Sequence, residues 1–306
     1  MKISVVISTF NRAISLERTL LSLSTFANEI IVVDNSSSDE TARVAKNFKA
    51  KIFKRPNNIM LNINKNFGIS KATGDWILYL DDDEVIPIEL AKELRDIADS
   101  SNEDKDTAPL GYWIGRKNII FGKWIEHGIW WPDAQLRFFK KGHGEYPAIH
   151  VHEHLNVSGP TGKLEHPYIH YNYDSISQFL WKMETIYTES EVAKLVTSGY
   201  TVRWYDAVRF PISDFVKLYL AQGGYKDGLH GLVLAILQSF YSFIVFAKLW
   251  EREGFSQSDI SLRSFEKEFA HSHSELKYWL LTEKINHTRD WLTKITLKVQ
   301  RKWYRV

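Results

Sequence analysis

The first hundred residues alternate between short apolar runs and segments with helical spacing, and this alternation constrains the fold more than any other feature. Short runs with apolar residues, the first of them rich in β-branched side chains, predict strands at residues 3–8, 29–34, 51–54 and 75–80. The segments after them predict helices near residues 16–23, 38–48, 62–73 and 87–100. A strand–helix repeat of this kind is typical of a mostly parallel sheet with helices on both faces. We therefore predict an α/β fold for this part of the chain.

The pattern changes after residue 110. Strands and long loops without crossover helices are predicted up to about residue 170, including 111–121 and 135–140. Beyond that point the chain is predicted to be helical, in residues 175–197, 205–221, 228–251 and most of 258–306. We therefore predict two domains, an α/β domain over residues 1–170 and a helical region over residues 171–306.

Acidic residues end two of the predicted strands. Asp34 and Asp81 lie at carboxyl ends, and the polar segment 8–12 follows a third strand. Ligands of open parallel sheets bind beyond these ends, so we expect the three positions to line one crevice. Two carboxylates one residue apart, as in Asp81 and Asp83, suit a sugar nucleotide, because one can contact the ribose and the other can bind Mg²⁺ or Mn²⁺. Capping of the next helix is the alternative, and three converging positions favour the ligand site.

Several segments resemble the family 2 glycosyltransferases, and more narrowly the lipopolysaccharide-core type of bacterial glucosyltransferase. They are SVVISTFNR (4–12), EIIVVDNSSSDET (29–41), NKNFGISKATGDWILYLDDDE (64–84) and WWPDAQLRFF (130–139), with a looser likeness in 223–251. The resemblance implies a Rossmann-like GT-A catalytic domain over residues 1–170, a UDP-sugar donor and a divalent metal, Mg²⁺ or Mn²⁺. It also implies transfer of a hexose, glucose first, with inversion, to a glycan or lipid-linked acceptor such as lipopolysaccharide core.

The resemblance assigns one group of residues to the nucleoside half of the donor. Thr9 and Asn11 match residues that line the base pocket, with Arg12 beside them. Asp34 matches the acidic residue that contacts the base or the ribose. These four positions are the predicted nucleoside-binding group.

A second group is assigned to the diphosphate, to the metal and, through Asp81, to the ribose. Lys65 and Asn66 lie in the stretch that usually holds a basic residue near the donor. Asp81 and Asp83 match the outer members of the DxD motif, and Asp83 is the expected metal ligand. The middle member is commonly small, but here it is Asp82, which leaves open which two of the three carboxylates act.

An inverting transfer needs a general base that takes the proton from the acceptor hydroxyl. In related enzymes a carboxylate follows a strand that ends in basic residues, here LRFFKK (136–141). Glu153 in HVHEH (150–154) resembles the Val-His-Glu segment of the family and is the predicted base, with Asp133 as the second candidate. Arg137 is predicted either to reach the diphosphate or to lie on the strand surface.

Three alternating histidines stand beside the predicted base. On a strand, His150, His152 and His154 would face the same way and could form a zinc site. Three ligands on one strand crowd a tetrahedral centre, however, and no His-Glu-x-x-His pattern is present. We therefore predict that His152 contributes to the metal or diphosphate site instead.

Composition excludes some functions. The chain has no cysteine, which excludes thiolate nucleophiles and zinc–thiolate sites, and its net charge of +2 predicts no nucleic-acid partner. Two rival functions share the sheet type. A catalytically inactive sugar-nucleotide-binding protein would not need the carboxylates at 34, 81, 83 and 153. A nucleotidyltransferase normally has a Gly-rich, Arg-containing loop after its first strand, where this chain has STFNR.

Two C-terminal segments bear on location. The apolar stretch LVLAILQSFYSFIVFA (232–247) has sixteen residues, fewer than the roughly twenty of a spanning helix, and predicts either a buried central helix or one lying against a bilayer. Residues 294–305 hold five basic residues and no acid, which favours an anionic membrane surface over a solvated helix end. No signal peptide is apparent. The predicted location is cytoplasmic, peripheral on the inner face of the plasma membrane.

Overall fold

The computed structural model describes residues 1–57, 61–100, 108–147 and 154–304. The chain forms two compact units. The first comprises Met1–Ile120 and Trp130–Asn172, and the second comprises Phe121–Ile129 and Tyr173–Val306. The first unit thus ends near the predicted boundary at 170, but the short segment 121–129 belongs to the second.

The first unit begins with the strand–helix alternation that the sequence predicts. Its elements in this part are β1 (Ile3–Thr9), α1 (Ala13–Leu23), β2 (Glu29–Asp34), α2 (Thr41–Asn47), β3 (Lys51–Lys54), α3 (Leu61–Lys71), β4 (Trp76–Asp81), β5 (Glu84–Val85) and α4 (Ile88–Asp99). Strand β1 pairs in parallel with both β2 and β4, and β2 pairs in parallel with β3. The α/β fold prediction is confirmed.

Short strands follow in the part where no crossover helices were predicted. They are β6 (Gly111–Ile114), β7 (Arg116–Ile120), β8 (Lys123–Trp124), β9 (Gln135–Lys140), β10 (Gly144–Glu145), β11 (Asn156–Val157), β12 (Thr161–Lys163) and β13 (Tyr168–Tyr173). The main sheet has the order β12-β6-β9-β4-β1-β2-β3, in which β9 is antiparallel to β4 and β6. A smaller sheet contains β5, β13 and β7 in that order. The segment 111–121, for which strand structure was predicted, therefore forms two strands that join different sheets.

Apolar side chains cover both faces of the main sheet. Alternate residues of a strand point to opposite faces, and in β1 Val5 packs with α1 and α4 while Val6 packs with residues of α3. The first face is filled by leucines of the two helices, Leu16, Leu20, Leu23, Leu90 and Leu94, all without exposed surface. The strands are thereby held rigidly, and so are the residues at their carboxyl ends.

The second unit is mainly helical, as predicted. Its helices are α5 (Ile176–Lys182), α6 (Thr188–Thr197), α7 (Asp206–Phe215), α8 (Leu229–Arg252), α9 (Leu262–His287) and α10 (Trp291–Lys302), with π-helical turns at Met183–Tyr187 and Val216–Ala221. Side chains of Ser175, Ser261 and Asp290 accept backbone hydrogen bonds at the starts of α5, α9 and α10. These are the side-chain caps expected at helix N-termini.

The segment 121–129 belongs to the second unit because a buried carboxylate binds it there. Asp227 is 3% exposed and accepts hydrogen bonds from the backbone nitrogens of Glu126 (3.2 Å) and His127 (3.1 Å). Lys123 Nζ donates to the Asp227 carbonyl oxygen at 2.8 Å. The sequence carries no periodic signal for these contacts, which explains why the segment was assigned to the first domain.

Helix α8 is longer than its apolar stretch suggested. It has 24 residues and a mean hydropathy of 1.9 over its most apolar window, so by length and composition it could cross a membrane. The prediction that the segment is too short for a span was therefore wrong in its length argument. The core helix of a soluble protein passes the same test, and α8 makes the polar contacts of a bundle helix. Ser239 Oγ donates to the Pro211 carbonyl oxygen (2.6 Å), and Lys248 Nζ lies 2.7 Å from Glu189 Oε1.

Candidate active site

The parallel register places the predicted strand-end residues side by side. Thr9 at the end of β1 is opposite Asp34 at the end of β2, and Ser8 is opposite Asp81 at the end of β4. The crevice at the carboxyl ends of these strands therefore carries the residues that the sequence singled out.

Asn11 joins the two loops that follow β1 and β2. It has a φ of 52°, a left-handed conformation that asparagine tolerates. Its Oδ1 accepts a hydrogen bond from the Ser38 backbone nitrogen (2.8 Å), and its own backbone nitrogen donates to Ser37 Oγ (2.9 Å). Asp34, which is 2% exposed, accepts from the Ser37 backbone nitrogen at 2.8 Å. Asn11 and Asp34 thus fix the shape of the predicted base pocket by holding the same loop.

Asp82 is bound inside the protein. Its Oδ2 accepts a hydrogen bond from Thr9 Oγ1 at 2.6 Å, and its Oδ1 lies 3.5 Å from Arg12 Nε. Burial, with the charge of Asp83 beside it, raises the pKa of Asp82 to about 7. Arg12 also donates through Nη2 to Asp83 Oδ2 at 3.1 Å. The middle carboxylate of the acidic run therefore ties the run to the end of β1.

Arg137 is buried and holds two carboxylates. Its Nη2 donates to Asp81 Oδ2 at 2.6 Å and to Glu84 Oε1 at 3.0 Å, and its Nη1 donates to the Tyr146 hydroxyl at 3.0 Å. Glu84 has no exposed surface, and this burial raises its pKa. Burial would also raise the pKa of Asp81, but Arg137 and Lys65 outweigh it and hold that pKa well below its usual range. Of the two alternatives for Arg137, a place on the strand surface is wrong.

The neighbours Lys65 and Asn66 of α3 point to different partners. Lys65 Nζ lies 3.6 Å from Asp81 Oδ1 and 4.9 Å from the ring centre of Tyr146. Asn66 exchanges two hydrogen bonds with the backbone of Tyr146, donating to its oxygen (2.7 Å) and accepting from its nitrogen (2.9 Å). Lys65 therefore adds positive charge at the acidic run, whereas the Asn66 amide is bound to a loop.

His170 approaches the acidic run from the smaller sheet. In the pairing of β5 with β13, His170 is opposite Glu84, which places its Nε2 3.4 Å from Asp83 Oδ1. Its Nδ1 lies 2.7 Å from Asn118 Oδ1. The Asn118 amide nitrogen donates to the Trp130 carbonyl oxygen (2.8 Å) and to Asp133 Oδ2 (2.9 Å), so the amide oxygen must face His170.

This orientation has a chemical consequence. Asn118 Oδ1 can only accept, so His170 Nδ1 carries a proton and donates to it. In the neutral ring the lone pair of Nε2 then faces the carboxylate of Asp83. Two acceptors at this distance repel each other unless a proton or a cation lies between them. The pair suits a divalent cation, since a histidine oriented through its other nitrogen is the usual form of a metal ligand.

Both carboxylate oxygens of Asp133, the second candidate for the base, accept hydrogen bonds. Its Oδ2 accepts from Arg116 Nε (2.7 Å) and lies 2.6 Å from Arg116 Nη2, in addition to the bond from Asn118. Its Oδ1 accepts from Gln135 Nε2 at 3.1 Å. A carboxylate with both oxygens occupied is suited to hold neighbouring groups in place. Through Asn118 it lies at the start of the chain of hydrogen bonds that orients His170.

Three predicted positions lie outside the described residues: His150, His152 and Glu153. His154, the third member of the alternating set, is described and exposed. Within 1–57, 61–100, 108–147 and 154–304, no three His, Asp or Glu side chains form a metal-binding group.

Comparison with known proteins identifies the first unit. Residues 4–141 match the family model described as Glycosyl transferase family 2. These residues are a family 2 glycosyltransferase domain. The resemblance found in the sequence is thereby confirmed, and with it the GT-A type of fold.

Similar proteins carry related descriptions. An uncharacterized glycosyltransferase of Rickettsia prowazekii is 26% identical over 86% of this chain and 89% of its own length. The lipopolysaccharide core biosynthesis glycosyltransferase LpsC of Rhizobium meliloti is 24% identical over 73% of this chain and 83% of its own. The GalNAc(5)-diNAcBac-PP-undecaprenol beta-1,3-glucosyltransferase of Campylobacter jejuni is 36% identical over 33% of this chain and 35% of its own.

Sequence reasoning missed three residues of this candidate site: Glu84, Asn118 and His170. Asn118 belongs to no recognisable motif, and Glu84, which ends the segment 64–84, was assigned no role in the donor site. His170 and Asn172 alternate in YIHYNY (168–173), so both face one side of a strand, and this was an available signal. Both are buried, and Asn172 Nδ2 lies 3.4 Å from Asn118 Oδ1.

Proposed function

We propose that this glycosyltransferase is an inverting, metal-dependent hexosyltransferase that uses a UDP-sugar, with UDP-glucose as the first candidate. Its acceptor is a glycan or a lipid-linked glycan such as lipopolysaccharide core. The observation that carries the proposal is the pairing of Asp83 Oδ1 with His170 Nε2 at 3.4 Å, directly beyond the carboxyl end of β4.

The cationic groups of the crevice suit a diphosphate. Arg12, Arg137 and Lys65 each contact a carboxylate of the acidic run, at 3.1, 2.6 and 3.6 Å. Their charges are thereby fixed near the place where a sugar nucleotide would release its diphosphate. Thr9, Asn11 and Asp34 remain the proposed contacts to base and ribose, because they form the neighbouring strand ends and loop.

Asp83 and His170 are the proposed protein ligands of Mg²⁺ or Mn²⁺. Hard cations of this kind take few protein ligands and complete their coordination with phosphate oxygens and water, so a pair is a sufficient set. A bound cation would neutralise the charge that develops on the departing diphosphate. The protein's part is to hold Asp83 and to orient His170 through Asn118. His170 takes the role that we assigned to His152 from the sequence.

Glu153 remains the proposed general base. Inversion needs one carboxylate that can take the proton of the acceptor hydroxyl. Asp133 is poorly suited to this role, because two oxygens that accept from Arg116, Asn118 and Gln135 leave little freedom for an incoming proton. The role of Asp133 is positioning.

The acceptor and the location are inferred from relatives and composition. One relative is named for lipopolysaccharide core biosynthesis and another for an undecaprenol-linked acceptor. The final helix is basic. We propose a cytoplasmic enzyme that is peripheral on the inner face of the plasma membrane, where it would meet a lipid-linked acceptor.

UDP release measures the donor chemistry directly. The purified protein is incubated with UDP-glucose or other UDP-sugars and with a lipopolysaccharide fraction as the acceptor of the sugar, in the presence of Mn²⁺ or of EDTA. We expect Mn²⁺-dependent release of UDP, lowered at least about a hundredfold by Asp83→Ala. Glu89→Ala, which removes an exposed carboxylate of α4, is the control. Release that is equal in EDTA, or unaffected by Asp83→Ala, would refute the metal assignment, and no release with any donor would favour a sugar-nucleotide-binding protein.

A further inference from the structure

Helix α10 packs against α9 through a face that combines basic side chains with a leucine and a tyrosine. The residues of α10 and its last turn that are partly buried are Lys294, Leu297, Arg301 and Tyr304. Arg301 Nη1 donates to Thr282 Oγ1 of α9 at 3.1 Å, and its guanidinium lies 5.2 Å from the ring centre of Tyr278. The inward face of α10 thus rests on hydrogen-bond and cation–π contacts with α9.

The apolar side of α10 faces outward. Its members are spaced by one helical turn or are adjacent, so they form one stripe, and each is between 51% and 84% exposed: Trp291, Leu292, Ile295, Val299 and Trp303. A surface helix of a soluble protein normally directs this stripe into the core. In α10 the apolar stripe faces away from the core, so only a partner outside the unit can cover it.

The charges around the stripe indicate what that partner is. Lys294, Lys298 and Lys302 recur every four residues and line one edge of it, and residues 291–304 contain no acidic side chain. Tryptophans stand at both ends, as is common in helices at membrane interfaces. A second copy of the chain, meeting the first through the same stripe, would bring two rows of lysines together. An anionic lipid surface complements the stripe and the lysines at once.

We propose that this outward stripe of α10 is a membrane anchor, which lies in the plane of an anionic bilayer with its apolar side chains among the lipid tails. The inference deepens the proposed membrane location and rests on that part of the proposed function. An anchor of this kind would confine the enzyme to the surface that carries a lipid-linked acceptor, without a spanning segment.

Vesicle flotation of the full-length protein tests the anchor. The vesicles consist of phosphatidylcholine with or without phosphatidylglycerol. We expect binding to the anionic vesicles, weakened at least about tenfold by Ile295→Glu with Val299→Glu. The matched control, Leu262→Glu with Phe269→Glu, places the same charges on exposed apolar positions of α9 and should bind like the wild type.

Three outcomes would overturn the anchor. They are absence of wild-type binding, equal loss in both double variants, and a lipid-free dimer that the α10 variant converts to monomer. UDP release in vesicle-free solution is measured on the same samples, because the substituted side chains are exposed and should leave it unchanged. Failed flotation with intact UDP release therefore refutes only the anchor, whereas flotation without UDP release refutes only the donor chemistry.

Discussion

Removal of the Arg137 guanidinium should destabilise the protein far more than removal of an exposed arginine. Arg137 is 5% exposed, and it bonds Glu84, which has no exposed surface, and Asp81, whose side chain is 35% exposed. In Arg137→Met, Asp81 can still be solvated and can still meet Lys65. Glu84 is inaccessible to solvent, so it cannot be solvated in the same way. The loss of stability therefore arises mainly from this one buried carboxylate, which no longer contacts a cation.

The size of the stability loss follows from one buried carboxylate, that of Glu84, which is left without a cation. Loss of one partner of a buried ion pair costs about 3–5 kcal/mol, and we expect Arg137→Met to lower the free energy of unfolding by that amount. Addition of Glu84→Gln removes the stranded charge, so the double variant should recover at least about 1 kcal/mol. Arg43→Met is the control. It breaks an exposed pair with Glu40, and its effect should stay within about 0.5 kcal/mol.

Urea unfolding, followed by circular dichroism, measures the four proteins under identical conditions. A loss below about 1 kcal/mol in Arg137→Met would show that Glu84 is not dependent on the guanidinium. A double variant that is less stable than Arg137→Met would show that the stranded charge is not the origin of the loss. Either result would refute the reasoning.

Other contacts lead to outcomes that can be measured separately. Glu29 is partly buried, which would raise its pKa, but hydrogen bonds from Lys51, Ser4 and Thr73 lower it from 4.5 to about 2. A depressed pKa contributes stability that is complete above pH 4.5 and is lost as the pH falls toward 2. Glu29→Gln should therefore lower the free energy of unfolding by at most about 3 kcal/mol at neutral pH and by less below pH 4.5. A difference between wild type and variant in urea unfolding that does not change with pH would contradict this. Asn118→Ala should raise the Mn²⁺ concentration for half-maximal UDP release about 10–100-fold with little change at saturation, and an unchanged Mn²⁺ response would refute the orienting role. Glu153→Gln should lower kcat at least about a hundredfold, whereas Asp133→Asn should retain transfer at saturating Mn²⁺, and the reverse order would make Asp133 the base.

The strand ends could be predicted from the sequence because their signals are local. Each parallel strand is a short run with apolar residues, and the residue that ends the run must lie at the carboxyl edge of the sheet. The opposition of Thr9 to Asp34 and of Ser8 to Asp81 then follows from parallel pairing alone. The family motif adds roles to these positions, but their proximity needs only the alternation of strands and helices.

His170 could not be placed in this way. It reaches Asp83 because β13 pairs with β5, which is a strand of only two residues, Glu84–Val85. So short a strand leaves no periodicity in the sequence, and its partner is far along the chain. The burial of Arg137 was missed for a related reason, because its partner Glu84 is a buried residue of the same two-residue strand. Long-range pairing, rather than local propensity, determines both contacts.

The structure also accounts for the unusual middle residue of the acidic run. Asp82 accepts a hydrogen bond from Thr9 and forms an ion pair with Arg12, so its carboxylate links the end of β4 to the end of β1. Asp81 is held by Arg137, and Asp83 is the member that faces His170. A small residue in the middle would leave Thr9 Oγ1 without this acceptor, but it would not change the partners of the outer two. The carboxylate of Asp82 is therefore compatible with the roles implied by the family motif, in which the two outer aspartates contact the donor and the metal.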